Sequence, residues 1–264
     1  MIHEDEGVRI EAKEISIEGT LGYGIDVKIN GNFVLGKHSH LGSCHIRGNN
    51  VIFGEHVYHS KGLRVGGGGN QGPDANLYVG DRSTIHNNFI NVCKPVYIGE
   101  DVGLSEDVTI LTHGYWQSVI QGYPGEFKGV SIFDNTIIGY RTTILPGVTI
   151  GPDVVIGACS VVTKDCNNGI YAGNPAKFLK AVTEPTEPQK RYVIENMMVQ
   201  YSRLAEFHGM DVKILSRYPV VGVDGFTVNV ETGEWKGKQT RESDHLRDFI
   251  RKYGIRIYTE RGFG

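Results

Sequence analysis

Residues 130–165 read VSIFDNTIIGYRTTILPGVTIGPDVVIGACSVVTKD, and within them an aliphatic side chain returns at every sixth position. The series also extends upstream, across one long interruption, and its members are Ile98, Leu104, Ile110, Ile132, Ile138, Ile144, Ile150, Ile156 and Val162. A period of six matches neither a strand, which alternates every second residue, nor an α-helix, which repeats about every 3.6 residues. A short fixed repeat of this kind predicts a solenoid in which each hexad contributes one short strand and a turn.

Three consecutive hexads are expected to close one triangular coil, with the aliphatic side chains stacked as ladders along its interior. No coil buries its apolar side chains alone, so each is stabilised mainly by its neighbours. The same phase can be traced upstream to about residue 8, with a slip of one position near Asn91. We therefore predict an all-β solenoid, a parallel β-helix over residues 8–183, followed by a small α+β appendage over residues 184–264.

Two segments interrupt the repeat and are predicted to be loops that leave the solenoid at its corners. The first lies between Leu63 and Asn76 and contains the glycine-rich sequence VGGGGNQGPDA. The second runs from Gly114 to Gly129 and carries the aromatic residues Tyr115, Trp116, Tyr123 and Phe127. Loops of this length without secondary structure of their own are uncommon and are often functional.

The composition changes at Glu184, where the sequence EPTEPQ is typical of a linker. Apolar residues at helical spacing predict a helix over residues 190–208, and Ser243 is expected to cap a second helix that ends at Gly254. Strands are predicted at residues 212–215, at residues 226–230, around Trp235 and at residues 255–258. We find no catalytic motif in this appendage.

The 36 glycines and the net charge of −3 narrow the class of protein. Frequent glycine suits a chain that turns every few residues, and the absence of a basic cluster argues against nucleic-acid binding. No apolar run is long enough to span a bilayer, and the first residues, MIHEDEGVRI, are acidic. We therefore predict a cytoplasmic protein with no membrane span and no signal peptide. The four cysteines lack paired metal-site spacing and are expected to be reduced.

Three motifs make the chain resemble the hexapeptide-repeat acyltransferases, which have a left-handed β-helix fold. The motifs are ILTHG at 110–114, IGPDVVIGACSVVTKD at 150–165 and AGNPAKFLK at 172–180. Within that superfamily the chain is most similar to the maltose and galactoside O-acetyltransferases and to the xenobiotic and polysaccharide acetyltransferases. The resemblance implies a homotrimer with active sites between solenoids, acetyl-CoA as acyl donor, and a hydroxyl or amine of a saccharide or another small molecule as acceptor.

The resemblance places the catalytic base at His113, where the second loop begins. A neutral imidazole suits this role, because the acceptor loses its proton as it attacks the thioester. Relatives carry an acceptor-facing asparagine about one and a half coils earlier, which makes Asn87 and Asn88 candidates for acceptor binding, with His86 as an alternative. Both asparagines could instead be turn residues, which tolerate left-handed backbone geometry. Trp116, like Tyr115 and Tyr123, is expected to stack on a sugar or cover a neighbouring site, or only to anchor the loop.

The cofactor positions are also implied by the resemblance, in which CoA lies in a groove between two solenoids. The positions that match are Tyr140, Ala158, Thr163, Lys164, Lys177 and Lys180. The lysines can meet phosphate as point charges, and a small residue at position 158 lets the CoA chain approach the wall. The sequence departs from many relatives at Ile137, where they have tryptophan, and at Tyr140, where some have a small residue.

Two alternatives come from other functional classes. A γ-class carbonic anhydrase shares the fold but needs a second loop histidine five residues after the first, and Ser118 occupies that position here. A non-catalytic scaffold is the other alternative, although the three motifs favour an enzyme. His38 and His56 are three hexads apart and should stack in adjacent coils of a group that also contains His40, His45 and His59. Stacked turn residues are commoner than metal sites in solenoids, so no metal is expected.

Overall fold

The computed structural model describes residues 1–68, 72–114 and 116–259. The described chain forms two compact units, residues 1–182 and residues 183–259. The first unit is built from short strands: β1 Ile2–Asp5, β2 Val8–Glu11, β3 Glu14–Ile17, β4 Thr20–Leu21, β5 Ile25–Ile29, β6 Asn32–Leu35, β7 His40–Gly48, β8 Val51–Phe53, β9 Tyr58–Gly66, β10 Leu77–Val79, β11 Thr84–Ile85, β12 Phe89–Asn91, β13 Val96–Ile98, β14 Gly103–Leu104, β15 Thr109–Ile110, β16 His113–Gly114, β17 Glu126–Phe127, β18 Val130–Ile132, β19 Ile137–Ile138, β20 Thr143–Ile144, β21 Thr149–Ile150, β22 Val154–Ile156, β23 Val161–Val162, β24 Gly169–Ala172 and β25 Lys177–Lys180.

Apart from β1, β16, β17 and β25, which pair antiparallel, these strands form a left-handed parallel β-helix, which confirms the predicted fold class. Its first face is the sheet β3–β6–β8–β10–β13–β18–β21. Its second face includes β11, β14, β19 and β22 in that order, and its third face includes β12, β15, β20 and β23. Equivalent positions of adjacent regular coils are 18 residues apart. Examples are the bonds from the Asn32 backbone N–H to the Asn50 side-chain oxygen and from the Asn135 side-chain amide to the Asp153 carboxylate.

The interior of the solenoid is a set of aliphatic ladders. Ile138 pairs with Leu104 on one side and Ile156 on the other, and all three side chains are almost completely buried. Burial of each such side chain contributes about 1.5–3 kcal/mol. The hexad positions therefore supply most of the stability of this unit.

The turn from the first face to the second has the same geometry in six coils. One residue of each turn has a positive φ, between 54° and 60°, and these residues are His38, His56, Arg82, Asp101, Asn135 and Asp153. Glycine two residues earlier is required by packing in the first coils, because a Cβ on Gly36 would lie 2.4 Å from the carbonyl oxygen of Gly54. The rings of His38 and His56 stack with centroids 4.7 Å apart and planes inclined by 24°, so the prediction that they stack is confirmed.

The second unit has two helices and an antiparallel sheet, in agreement with the predicted α+β appendage. Its elements are α1 Glu187–Phe207, β26 Ile214–Arg217, β27 Val220–Val223, β28 Phe226–Asn229, β29 Trp235–Lys236 and α2 Arg241–Arg251. Its core contains Met197, Tyr201, Phe226, Leu246 and Ile250 among others. Among the described residues, neither helix combines the length and the apolar character that crossing a membrane requires.

Several details predicted for this unit were wrong. Helix α1 begins inside the EPTEPQ segment, because Thr186 and Gln189 form a capping box there. Thr240, not Ser243, is the N-cap of α2, and Ser243 is its partner in a second capping box. Strand β27 was missed because Pro219 and Gly222 are weak strand formers, and residues 255–258 do not form a strand.

Candidate active site

The third face of the solenoid ends at a corner where both inserted loops leave the coil. In the regular coil of β20 this corner is Leu145-Pro146-Gly147, which returns directly toward the first face. In the preceding coil the equivalent positions are Leu111-Thr112-His113, since Ile110 pairs with Ile144. His113 then opens strand β16, which pairs antiparallel with β17 and forms the base of the long loop.

A hydrogen-bonded cluster, which we call the polar corner, consists of Asn91, Thr112 and His113. Asn91 is only 1% exposed, although it follows the inward-facing Ile90 in β12. Its side-chain oxygen accepts from His113 Nδ1 at 2.9 Å, from the backbone N–H of Cys93 at 3.2 Å and from the Thr112 hydroxyl. Its amide nitrogen donates to the carbonyl oxygen of Gly66 at 3.0 Å.

These bonds fix which ring nitrogen of His113 carries the proton. The Cys93 N–H can only donate and the Gly66 carbonyl can only accept, so together they set the orientation of the Asn91 amide. The Asn91 oxygen that faces His113 Nδ1 is therefore an acceptor, and Nδ1 must hold the hydrogen. In a neutral imidazole the lone pair then lies on Nε2, which makes Nε2 the basic nitrogen.

The ring of His113 is also held from the loop side. It stacks on Phe127, its partner in the β16–β17 hairpin, with centroids 6.1 Å apart and planes inclined by 15°. The backbone N–H of Lys128 donates to the Thr112 carbonyl oxygen at 3.0 Å, which closes the base of the loop. His113 is therefore fixed by a buried amide on one side and an aromatic ring on another.

Gly67 lies against the polar corner where the glycine-rich loop begins. It has a φ of 100°, and a Cβ there would lie 2.7 Å from Asn91 Nδ2 and 3.3 Å from the Phe89 ring. A side chain at this position would therefore displace the amide that orients His113. The loop is tied back by the bonds of Asn49 and Asn76 to the Pro73 carbonyl oxygen and by the ion pair from Lys94 to Asp74 at 2.7 Å.

A cleft of about 470 Å³ opens between the long loop and the coil wall beside His113. Its wall includes Leu145 and Pro146, and Trp116 lies on its loop side. The structure thus brings the predicted base and one predicted acceptor residue into one cleft, although the indole of Trp116 is 89% exposed. Tyr115 lies outside the described residues.

The two predicted acceptor asparagines lie at the other end of β12. The Asn88 side chain is buried and bonds the backbone of His86 and Ser105 at 2.9 Å and 2.8 Å. Asn87 is half-buried and donates to Asp107 at 2.6 Å. Both amides are thus engaged in stacking adjacent coils, and their role in acceptor binding stays a prediction.

Four of the six predicted cofactor residues border the third face beyond His113. Tyr140 and Ala158 occupy equivalent turn positions in adjacent coils on one edge, and a Cβ on the neighbouring Gly139 would lie 2.6 Å from the Ala158 nitrogen. Thr163 and Lys164 follow β23 on the opposite edge, two coils above His113 and thus about 10 Å along the solenoid.

Lys177 and Lys180 lie in the exposed strand β25, which pairs antiparallel with β24. The preceding turn covers the open edge of β23, because the Ala176 N–H donates to the Val161 carbonyl oxygen at 2.8 Å. Tyr140, Ala158, Thr163 and Lys164 therefore border the upper end of the third face, whereas Lys177 and Lys180 lie at the end of the second-face sheet. Contact of these six residues with CoA stays a prediction.

The cysteines differ in burial across the solenoid. Burial raises the pKa of Cys44 to about 12 and that of Cys166 to about 11. Cys159 is exposed at the corner beside Ala158, and Cys93 is half-buried. Within residues 1–68, 72–114 and 116–259, no group of three or more His, Cys, Asp or Glu side chains is arranged to hold a metal ion.

Sequence reasoning named His113 as the candidate base but not Asn91, Thr112 and Phe127 as the residues that hold it. One signal could have indicated the first of these. The hexad phase slips by one residue near Asn91, and the Ser83–Val102 bond across this coil spans 19 residues instead of 18. The extra residue marks the place where the corner departs from its regular form.

The chain is similar in sequence to known proteins. Residues 129–164 match the family described as bacterial transferase hexapeptide (six repeats). Protein CapG of Staphylococcus aureus is 35% identical over 152 residues, which cover 56% of this chain and 82% of that protein. Galactoside O-acetyltransferase of Escherichia coli is 32% identical over 149 residues, 55% of this chain, and the chain spans 66% of that relative, just under two thirds. A solved structure of a maltose O-acetyltransferase from Clostridium difficile matches with a TM-score of 0.41 and 29% identity, covering 58% of this chain and 71% of that one.

Proposed function

This chain belongs to the hexapeptide-repeat family of bacterial transferases, and we propose that it transfers an acetyl group from acetyl-CoA to a hydroxyl or amine of a saccharide. The observation that carries the proposal is the fixed tautomer of His113, whose Nδ1 donates to the buried Asn91 oxygen. A base with a set tautomer beside a cleft is what direct acyl transfer requires. The similarity to galactoside O-acetyltransferase supports a sugar acceptor.

In the proposed reaction the acceptor oxygen or nitrogen attacks the thioester carbonyl carbon, and Nε2 of His113 takes the proton that this atom loses. The tetrahedral intermediate then expels the CoA sulfur, and the imidazolium returns the proton to it. One ester or amide bond forms and one thioester bond breaks, with no covalent bond to the protein. As the imidazole becomes positive, the Asn91 oxygen strengthens its bond to Nδ1 and so stabilises the charged form.

The donor would lie along the upper part of the third face. Tyr140 and Ala158 would flank the pantetheine chain, and Lys164 and Lys177 would meet the phosphates. This arrangement directs the thioester down the face toward His113, which lies on the same edge as Lys164.

We also propose that the protein is a homotrimer. The tip of the long loop supports this, because Trp116 is 89% exposed and Ile120 is 95% exposed. Large apolar side chains at the end of a loop suit burial against a second copy of the chain. In such a trimer the loop would close the cleft beside the neighbouring solenoid.

The proposal is tested by titrating the protein with acetyl-CoA in a calorimeter and repeating the titration with Lys164→Ala and His113→Ala. We expect His113→Ala to bind acetyl-CoA with unchanged affinity and Lys164→Ala to bind it more weakly. At saturating acetyl-CoA, His113→Ala should have lost acetyl transfer to a panel of sugars, whereas Lys164→Ala should retain it. Failure of the unaltered protein to bind acetyl-CoA would refute the proposed function.

A further inference from the structure

Arg64 lies on the third face, one coil before the strand that contains Asn91. The reaction proposed above assigns no role to this residue. Its side chain is exposed, and its guanidinium lies over the ring of Phe89 in the next coil, 5.3 Å from the ring centroid. The two residues are direct partners in the pairing of β9 with β12. A guanidinium that lies over an aromatic ring forms no hydrogen bond to it and keeps its donors available for an anion.

The neighbouring residues of its strand column do not neutralise the positive charge of Arg64. In the coil below, its strand partner is His45, and the nearest carboxylate of that column, Asp26, is bonded by Arg47 at 2.6 Å and by His45 at 3.0 Å. These two contacts lower the pKa of Asp26, with the Arg47 hydrogen bond as the largest cause, so this carboxylate is ionised and already engaged. Among the residues that the structure describes, Arg64 forms no ion pair.

The Arg64–Phe89 pair is connected to the proposed base through one strand. Phe89 and Asn91 are alternate residues of β12, so both side chains project to the same side and their Cα atoms are about 7 Å apart. Both also lie against Gly67, since a Cβ there would be within 3.3 Å of the Phe89 ring and within 2.7 Å of the Asn91 amide. Asn91 in turn bonds His113. Phe89, over which the guanidinium of Arg64 lies, therefore belongs to the same strand as the side chain that orients the proposed base.

We propose that Arg64, supported by Phe89, binds an anionic group of the acceptor, so that the preferred acceptors are saccharides with a carboxylate or a phosphate. This inference rests on the proposed function, because it assigns the acceptor of the same site. Arg64 lies below His113, whereas the residues assigned to the donor lie above it. The donor and the acceptor therefore approach the base from opposite ends of the third face.

The test compares Arg64→Gln, which removes the charge, with Arg64→Lys, which keeps the charge and loses the planar fork. Arg9→Gln is the matched control, because Arg9 lies in the same outward column and is exposed, but is three coils away and paired with Glu4 and Glu11. The probes are methyl glycosides of glucose, galactose and mannose, the corresponding uronic acids, and the corresponding sugar 6-phosphates. Each set differs only at C6, so the three sets separate neutral, carboxylate and phosphate acceptors.

Acetyl transfer and equilibrium binding are both measured for every probe. We expect Arg64→Gln to lower kcat/KM for the preferred anionic set about tenfold or more, since a charge-assisted hydrogen bond is lost. The value for neutral sugars and the KM for acetyl-CoA should not change, and Arg9→Gln should behave like the unaltered protein. For the anionic sugars, the kcat/KM of Arg64→Lys should fall between those of Arg64→Gln and the unaltered protein. Whichever anionic set loses more kcat/KM in Arg64→Gln shows whether the site prefers a carboxylate or a phosphate.

Equal losses for neutral and anionic sugars, or a rise in the KM for acetyl-CoA alone, would overturn the inference. Binding separates this result from a failure of the proposed function. If no sugar is acetylated but anionic sugars bind and Arg64→Gln removes that binding, the acceptor assignment holds and the transfer reaction is wrong. If the unaltered protein binds anionic sugars no better than neutral ones, the assignment of Arg64 is wrong whatever the reaction.

Discussion

The third face reaches its corner in two different ways, and the difference separates what stabilises this protein from what we propose it does. At Leu145-Pro146-Gly147 the chain turns directly into the next strand, and backbone bonds such as Leu145 N–H to the Val162 carbonyl oxygen continue the regular coil. At Leu111-Thr112-His113 two of the same positions carry polar side chains, which bond the buried Asn91, and a long loop follows. The two corners belong to adjacent coils. The inward isoleucine before each corner, Ile110 or Ile144, is the strand partner of the other.

The comparison shows that the repeated core and the proposed catalytic group are formed by different residues of the same coil. The inward positions are apolar in both coils, so neither the loop nor the polar corner interrupts the core. The residues that differ between the two coils are those at the corner, whereas the inward Ile110 and Ile144 remain paired. Substitutions in the two corners should therefore affect different properties.

The largest expected effect comes from removing the base. His113→Gln should lower kcat by about 10²–10⁴-fold, the range that a positioned general base contributes. Acetyl-CoA affinity and melting temperature should stay close to those of the unaltered protein. The distant, exposed His3→Gln is the matched control and should keep full activity. An equally large loss of kcat in the control, or a normal kcat in His113→Gln, would show that His113 is not the base.

The regular coils should respond in stability instead. Ile156→Ala should lower the free energy of unfolding by about 2–5 kcal/mol, because it leaves a cavity in the ladder with Ile138. Val155→Ala in the same strand faces outward and should cost much less. Chemical denaturation monitored by circular dichroism measures both. A similar loss for the two variants would mean that the ladders do not carry the stability.

Asn91 connects the two properties, so its variants sharpen the comparison. Asn91→Leu removes the side-chain bonds to the buried Gly66 carbonyl and to the Thr112 hydroxyl, which should cost about 1–3 kcal/mol of stability and also lower kcat. Asn91→Asp keeps an acceptor for His113 Nδ1, and its negative charge favours the imidazolium. The acidic limb of its pH–rate profile should therefore move to higher pH. An unchanged profile would indicate that Asn91 does not act through His113.

The smallest expected effect is chemical labelling of the thiols. Because burial raises the pKa of Cys44 to about 12 and of Cys166 to about 11, both thiols stay protonated and unreactive at pH 8. Iodoacetamide should therefore label the exposed Cys159 first, as mass spectrometry would detect. Acetyl-CoA should protect Cys159 if the donor lies beside Ala158. Labelling of Cys159 at the same rate with and without acetyl-CoA would contradict the assigned groove.

The sequence predicted the solenoid because the ladder positions repeat locally, and every hexad carries the same information. It also predicted the stacking of His38 on His56, which follows from the length of one coil. The partners of His113 could not be predicted in this way. Asn91 contacts it across 22 residues through a slip in phase, and Phe127 reaches it from the far end of the long loop. Contacts made where a repeat is interrupted depend on how the inserted residues fold back.

The central claim is that the polar corner holds His113 with its proton on Nδ1 and its basic nitrogen at Nε2. Nitrogen-15 NMR of histidine-labelled protein at pH 8 tests it directly, with the His113→Gln variant assigning the signal. We predict the Nδ1–H tautomer in the unaltered protein and a mixture of tautomers in Asn91→Leu. A signal from His113 with the proton on Nε2 would contradict the account, because the nitrogen beside Asn91 would then be the basic one.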